Sequence, residues 1–117
     1  MAIAEYAAGT ETVTTTEHSL STDTAGPDVQ TDDGIYQCFL DLNALALGDT
    51  FEFRVYEKVQ STDTQRVALL ASFSNAQGTD GAVWVSPSLI LIHGWDMTLK
   101  KTAGTDRAIT WSIRRIS

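Results

Sequence analysis

Apolar and polar residues alternate with a period of two in the last quarter of the chain, and this pattern restricts the folds open to it. Two apolar sets flank a Gly-containing link at residues 103–106: Trp95, Met97 and Leu99 before it, and Ile109, Trp111 and Ile113 after it. Successive side chains of a β-strand point to opposite faces of the sheet. The pattern therefore predicts a β-hairpin over residues 94–116 with one buried and one polar face.

Similar alternation recurs in earlier segments, with turn residues between them. Short strands at spacings of roughly 8–12 residues, with almost no helix, are typical of antiparallel sandwiches and barrels. We predict an all-β protein, a single antiparallel β-sandwich of seven or eight strands and of the jelly-roll or Greek-key type. The run Leu89–Ile92 is apolar on both faces, which predicts a strand at the centre of the core. The positions predicted to form the core are Phe51, Phe53, Val55, Leu69, Phe73, Trp95, Trp111 and Ile113.

The first residues differ from this pattern. Residues 1–10 are small, rich in alanine and aperiodic, which predicts an extended N-terminal arm followed by a sandwich domain over residues 11–117. The single cysteine, Cys38, lies in a strand-like run and is expected to be buried. The N-terminal residues lack the features of a secretory signal, and no apolar run reaches the roughly 18–20 residues that cross a bilayer. We therefore expect synthesis in a cytoplasm and no membrane partner.

Charge is distributed unevenly along the chain. The net charge is −7, yet no lysine or arginine precedes Arg54. Arg54 is the first of the eight basic residues of the chain. An acidic first half disfavours nucleic acid as a partner and favours docking through one basic surface. The alternative is that folding mixes the two halves in space. The predicted partner-binding residues are Ala2, Ile3 and Tyr6 of the arm and the basic residues Lys100, Lys101, Arg107 and Arg114.

Residues that carry catalytic or metal chemistry are few. The two histidines, His18 and His93, lie in no catalytic or phosphate-binding motif, so we expect neither an enzyme nor a cofactor. An acidic loop provides a calcium candidate, although acidic residues are also common in turns; its residues are Asp28, Asp32 and Asp33. Trp84 is the one tryptophan whose position suits an exposed carbohydrate platform.

Two blocks of the sequence resemble small virion structural proteins of tailed bacteriophages: DLNALALGDTFEFRVYEKV at residues 41–59 and GWDMTLKKTAGTDRAITWSIRRI at residues 94–116. Within that group the chain is most similar to capsid decoration (cement) proteins. The resemblance implies a homotrimer on the outer capsid surface that binds the major capsid protein and stabilises neighbouring subunits. A tail, neck or baseplate component, or a carbohydrate-binding module on the virion, remains open as an alternative.

Overall fold

The computed structural model describes residues 2–117, which form two antiparallel five-stranded sheets packed against each other. The ten strands are β1 (Ile3–Val13), β2 (His18–Ser19), β3 (Thr24–Ala25), β4 (Gly34–Asp41), β5 (Thr50–Glu57), β6 (Arg66–Ser74), β7 (Val83–Val85), β8 (Leu89–Leu91), β9 (Asp96–Ala103) and β10 (Arg107–Ile116). The count exceeds seven or eight because β2 and β3 have two residues each, too few to produce a detectable period. Residues 2–117 include no membrane-spanning helix.

The chain crosses between the two sheets at most of its connections. Sheet A has the order β1-β10-β4-β7, and β8 also pairs with β4. Sheet B has the order β3-β2-β9-β5-β6. Only β2–β3, β5–β6 and β7–β8 are successive strands that lie in the same sheet. The all-β class and the antiparallel two-sheet arrangement predicted from the sequence are therefore confirmed.

The last two strands correct the hairpin prediction. β9 pairs with β2 and β5 in sheet B, whereas β10 pairs with β1 and β4 in sheet A. Both strands and their buried positions are as predicted, but the link between them crosses from one sheet to the other. Period-two alternation identifies the buried face of each strand but not the sheet to which the strand belongs. The pattern is the same for two neighbouring strands of one sheet and for two strands that face each other across a core.

The hydrophobic core lies between the inner faces of the two sheets. Of the eight residues predicted to form it, seven are buried, and Leu69 on the edge strand β6 is partly buried against them. Cys38 is buried, as expected. Burial also raises the pKa of its thiol, which disfavours the reactive thiolate.

The predicted N-terminal arm is part of sheet A. Residues 3–13 form β1, which pairs with β10 from Ile3 opposite Ile116 to Val13 opposite Arg107, while Met1 lies outside the described residues. Packing against the core explains why one of the small residues of β1, Gly9, has no side chain. A Cβ atom built on Gly9 would lie 2.7 Å from Cζ2 of Trp111, so β1 approaches this ring closely only because Gly9 has no side chain.

Candidate functional site

The outer face of sheet A carries isoleucines in register on four strands, of which three are exposed and Ile116 is half-buried. Ile3, Ile116, Ile35 and Ile90, here called the isoleucine row, stand opposite one another on β1, β10, β4 and β8. Ile3 is 72% exposed and Ile90 is 79% exposed. Their strand neighbours Tyr36 and Leu91 point into the core, so alternation directs the row to solvent.

Ile90 corrects the prediction for the run Leu89–Ile92. Leu91 is buried, but Ile90 and Ile92 are exposed, so the run does not lie at the centre of the core. A short apolar run suits a strand that is buried on both sides. Here the second side of the strand faces solvent instead, which adds Ile90 to the isoleucine row.

Further along the same outer face, an arginine lies on an aromatic ring. The Arg114 guanidinium carbon is 3.8 Å from the centroid of the Phe39 ring, a cation–π arrangement. Phe39 stands opposite the exposed Val85 of β7. Glu5 stands opposite Arg114 and accepts a hydrogen bond of 2.6 Å from the hydroxyl of Ser112. The face thus combines exposed apolar groups with charged groups beside them.

Three of the seven predicted partner-binding residues lie on or beside this face. Ile3 belongs to the isoleucine row, and Arg114 covers Phe39. Ala2 is exposed, and its carbonyl accepts a hydrogen bond from the backbone N–H of Ser117. Alignment of β1 with β10 brings these residues together, although they come from opposite ends of the sequence.

Tyr6 has a structural position instead. Its hydroxyl donates a hydrogen bond of 2.6 Å to Oδ2 of Asp32. Its ring packs against Tyr36 and Trp95, with centroid distances of 5.3 and 5.6 Å. Burial, followed by the hydrogen bond to Asp32, raises the pKa of Tyr6. This side chain anchors β1 to the loop before β4 rather than facing a partner.

The predicted basic residues do not form one surface. Arg107 donates a hydrogen bond of 2.7 Å to Oδ2 of the buried Asp49. Lys101 forms an ion pair of 2.6 Å with Asp106. Lys100 stands opposite Glu52 in sheet B. The two lysines and the two arginines are separated because β9 and β10 belong to different sheets.

Folding also mixes the acidic and basic halves of the chain. Within residues 2–117, three of the four ion pairs that involve a lysine or arginine join it to an acid before residue 54. Asp49 is the most enclosed of these acids. Backbone N–H groups of Thr105 and Ala46, followed by Arg107, lower its pKa to about 2. The charge asymmetry of the sequence therefore does not become one basic surface facing one acidic surface.

The acidic loop forms no calcium cage. Asp28 accepts hydrogen bonds from the hydroxyls of Thr22 and Thr24. Asp32 accepts the Tyr6 hydroxyl, and the Asp33 carboxylate lies 3.8 Å from Arg115. The three carboxylates thus have separate partners and do not form a convergent group of ligands within the described residues. Across residues 2–117, one group of potential metal ligands converges, and it consists of Glu11, His18 and Asp23.

Trp84 is not a carbohydrate platform. It stands opposite Leu40 on the inner side of sheet A and is partly buried against the core. Its ring packs edge-on against Phe53 and Phe73, with centroid distances of 5.2 and 5.0 Å. The three-residue strand β7 offers too short a pattern to separate its inner from its outer face.

The outer face of sheet B contains a buried polar network that the sequence did not reveal. Asp96 is fully buried and accepts hydrogen bonds from the hydroxyls of Ser19 and Ser21 and from the backbone N–H of Asp28. Beside it, Glu17 accepts hydrogen bonds from Tyr56 and Thr98. These contacts close one end of the sheet to solvent.

No protein-family model matches this sequence, and no curated protein matches it. The exposed apolar residues on the outer face of sheet A form the candidate interaction surface.

Proposed function

We propose that this protein is a non-enzymatic structural protein of a virion, a capsid decoration (cement) protein. It binds the outer capsid surface and bridges neighbouring subunits of the major capsid protein. The observation that carries the proposal is the isoleucine row, which places isoleucines in register on four adjacent strands and exposes three of them. Contiguous apolar surface on a folded domain marks an interaction site.

The position of the row on a paired sheet supports docking as a rigid body. Its residues lie on hydrogen-bonded strands, so the backbone loses little conformational freedom when a partner covers them. Arg114 beside the row adds a charge that can orient the partner. A lattice of capsid subunits presents many identical sites, so a modest affinity at each site is sufficient.

We include a jelly-roll topology in the proposal. Four strand pairs support it: β1 with β10, β2 with β9, β4 with β7 and β5 with β6. In these pairs the first strand in the sequence lies beside the last, and each following pair is nested inside the one before. A long antiparallel ribbon that folds over into two sheets gives this nested pairing. Jelly rolls occur in viral capsid proteins and also in lectins and cupins, so the topology supports a virion role without selecting it.

We also include a homotrimer in the proposal. β1 is 11 residues long and pairs on one side only, with β10. An edge of this length is a natural site for pairing with another chain. Sedimentation at several protein concentrations measures the oligomeric state, and a monomer throughout the range would contradict this part of the proposal.

The decisive experiment adds the purified protein to phage heads assembled without it. We expect the protein to sediment with the heads and to raise the temperature at which they open. Ile35→Ser and Ile90→Ser should each weaken binding at least tenfold. The matched controls Leu47→Ser and Val59→Ser remove exposed apolar side chains that lie outside the strands and should bind normally.

The same experiment separates the alternatives. Binding to tails but not to heads would replace the cement role with that of a tail, neck or baseplate component. Equal losses in the isoleucine variants and in the controls would show that the isoleucine row is not the docking surface. Absence of any binding to virion parts would overturn the proposal.

A further inference from the structure

Three metal-ligating side chains meet at one open edge of the molecule, where β1 of sheet A lies near β2 of sheet B. Glu11 stands opposite the buried Ile109, so it lies on the inner side of sheet A. His18 stands opposite the buried Leu99, on the inner side of sheet B. Apolar residues are expected at inner positions. The two sheets instead place a carboxylate and an imidazole there.

The geometry brings the ligand atoms of these side chains together. One ligand atom from each of Glu11, His18 and Asp23 lies within 4.8 Å of the others. Nε2 of His18 is 2.8 Å from Oδ1 of Asp23. The His18 side chain is only 14% exposed, and its ring packs edge-on against Trp111 at a centroid distance of 5.5 Å. Packing therefore orients the imidazole with Nε2 toward the carboxylates.

The charges of the cluster are not balanced by a basic side chain. Within residues 2–117, neither Glu11 nor Asp23 forms an ion pair with a lysine or arginine. Two carboxylates held this close repel each other unless a positive charge lies between them. A divalent cation between the three side chains supplies that charge. The hydrogen bond between His18 and Asp23 does not have this effect on Glu11, because Glu11 takes no part in it.

We propose that Glu11, His18 and Asp23 form a binding site for a divalent transition-metal ion of the zinc type. One imidazole and two carboxylates are a ligand set that Zn²⁺ accepts, with water in the fourth position. The imidazole selects against Ca²⁺ and Mg²⁺, which prefer oxygen ligands. Tetrahedral coordination separates neighbouring ligand atoms by about 3.3 Å, so the contact between His18 and Asp23 needs only a small opening.

The bound ion joins the two sheets at an edge where, within residues 2–117, β10 is the one strand that pairs with β1. Glu11 belongs to β1, His18 to β2, and Asp23 to the turn between β2 and β3. An ion that binds the folded chain and not the unfolded chain raises stability in proportion to the logarithm of its concentration. This inference does not depend on the proposed virion role.

Calorimetric titration of the chelator-treated full-length protein with ZnCl₂ tests the proposal. We expect saturable binding of one ion per chain and a rise in melting temperature with zinc concentration. CaCl₂ and MgCl₂ at the same concentrations should produce neither effect. CoCl₂ should give visible absorption bands of a four-coordinate site, which ZnCl₂ then removes by competition.

Variants assign the ligands. His18→Gln and Glu11→Gln should each weaken zinc binding at least tenfold, whereas His93→Gln should bind as wild type because His93 lies outside the cluster. Glu11→Gln replaces a partly exposed side chain by one of nearly the same shape, so it keeps the test valid if His18→Gln unfolds. The proposal is overturned if wild type binds no zinc, if both cluster variants bind as wild type, or if only His93→Gln loses binding.

Discussion

The outer faces of the two sheets differ in the groups that they bury and the groups that they expose. On sheet B, the polar residues Asp96 and Ser19 are fully buried and hydrogen-bonded to each other. On sheet A, Ile90 and Ile3 are among the most exposed large apolar side chains. One sheet therefore covers polar groups with its own chain, and the other leaves apolar groups in solvent.

The difference supports the docking role that we propose for sheet A. Covering a carboxylate is costly unless hydrogen bonds replace those that it made to water. Asp96 obtains them from Ser19, Ser21 and the backbone of Asp28, so its face is complete within the chain. Ile3 and Ile90 of the isoleucine row have no such cover from residues 2–117. We infer that the outer face of sheet B serves folding and that the outer face of sheet A serves binding.

Trp111→Ala tests the core beneath both faces and should have the largest effect. Trp111 is buried, and its Nε1 donates a hydrogen bond of 2.9 Å to the carbonyl of Leu20. Removal of a buried aromatic ring costs about 3–5 kcal/mol. Urea unfolding measures the loss, with Leu47→Ala as the exposed control. A folded variant within about 1 kcal/mol of wild type would show that the inner and outer faces are assigned the wrong way round.

Asp96→Ala tests the face that the chain completes by itself. The change leaves several buried donors without an acceptor, and each costs about 1–3 kcal/mol. We expect a loss of about 3 kcal/mol in the free energy of unfolding. Asp63→Ala, on an exposed loop, is the matched control. Equal, small losses for both variants would remove the distinction between the two faces.

Acid unfolding tests whether the Asp49 carboxylate, which joins the two sheets through Arg107, stabilises the folded state. Folding lowers the pKa of Asp49 from 3.8 to about 2. A lowered pKa stabilises the folded state above the unfolded value, and this contribution disappears as the pH falls from about 4 to about 2. Asp49→Asn should flatten this part of the curve of stability against pH. An unchanged curve would show that the hydrogen bonds that the Asp49 carboxylate accepts from Thr105, Ala46 and Arg107 contribute nothing to folding.

Ile90→Ser should have the smallest effect on folding. The side chain is 79% exposed, so its replacement should change the free energy of unfolding by no more than about 0.5 kcal/mol. Binding to heads should nevertheless decrease at least tenfold. A large loss of stability would indicate that the isoleucine row is covered within the folded molecule and is not a docking surface.

Part of the candidate site was predictable from the sequence. Ile3 and Arg114 were expected to bind a partner, and both lie on the outer face of sheet A. Tyr6 and Arg107 were not predictable as structural residues, because their partners Asp32 and Asp49 are distant in sequence. A charged or aromatic side chain in a strand pattern indicates a face but does not reveal what lies against it.

The sequence by itself determined the all-β class and most of the buried positions. Phe51, Phe53, Trp95 and Trp111 are buried as predicted because alternation follows from the local geometry of an extended chain. Only the tertiary structure decided that β9 and β10 line opposite sheets, that Asp96 is covered and that Ile90 is exposed. Those outcomes depend on which distant segment lies beside each strand, and a pattern of period two carries no information about that neighbour.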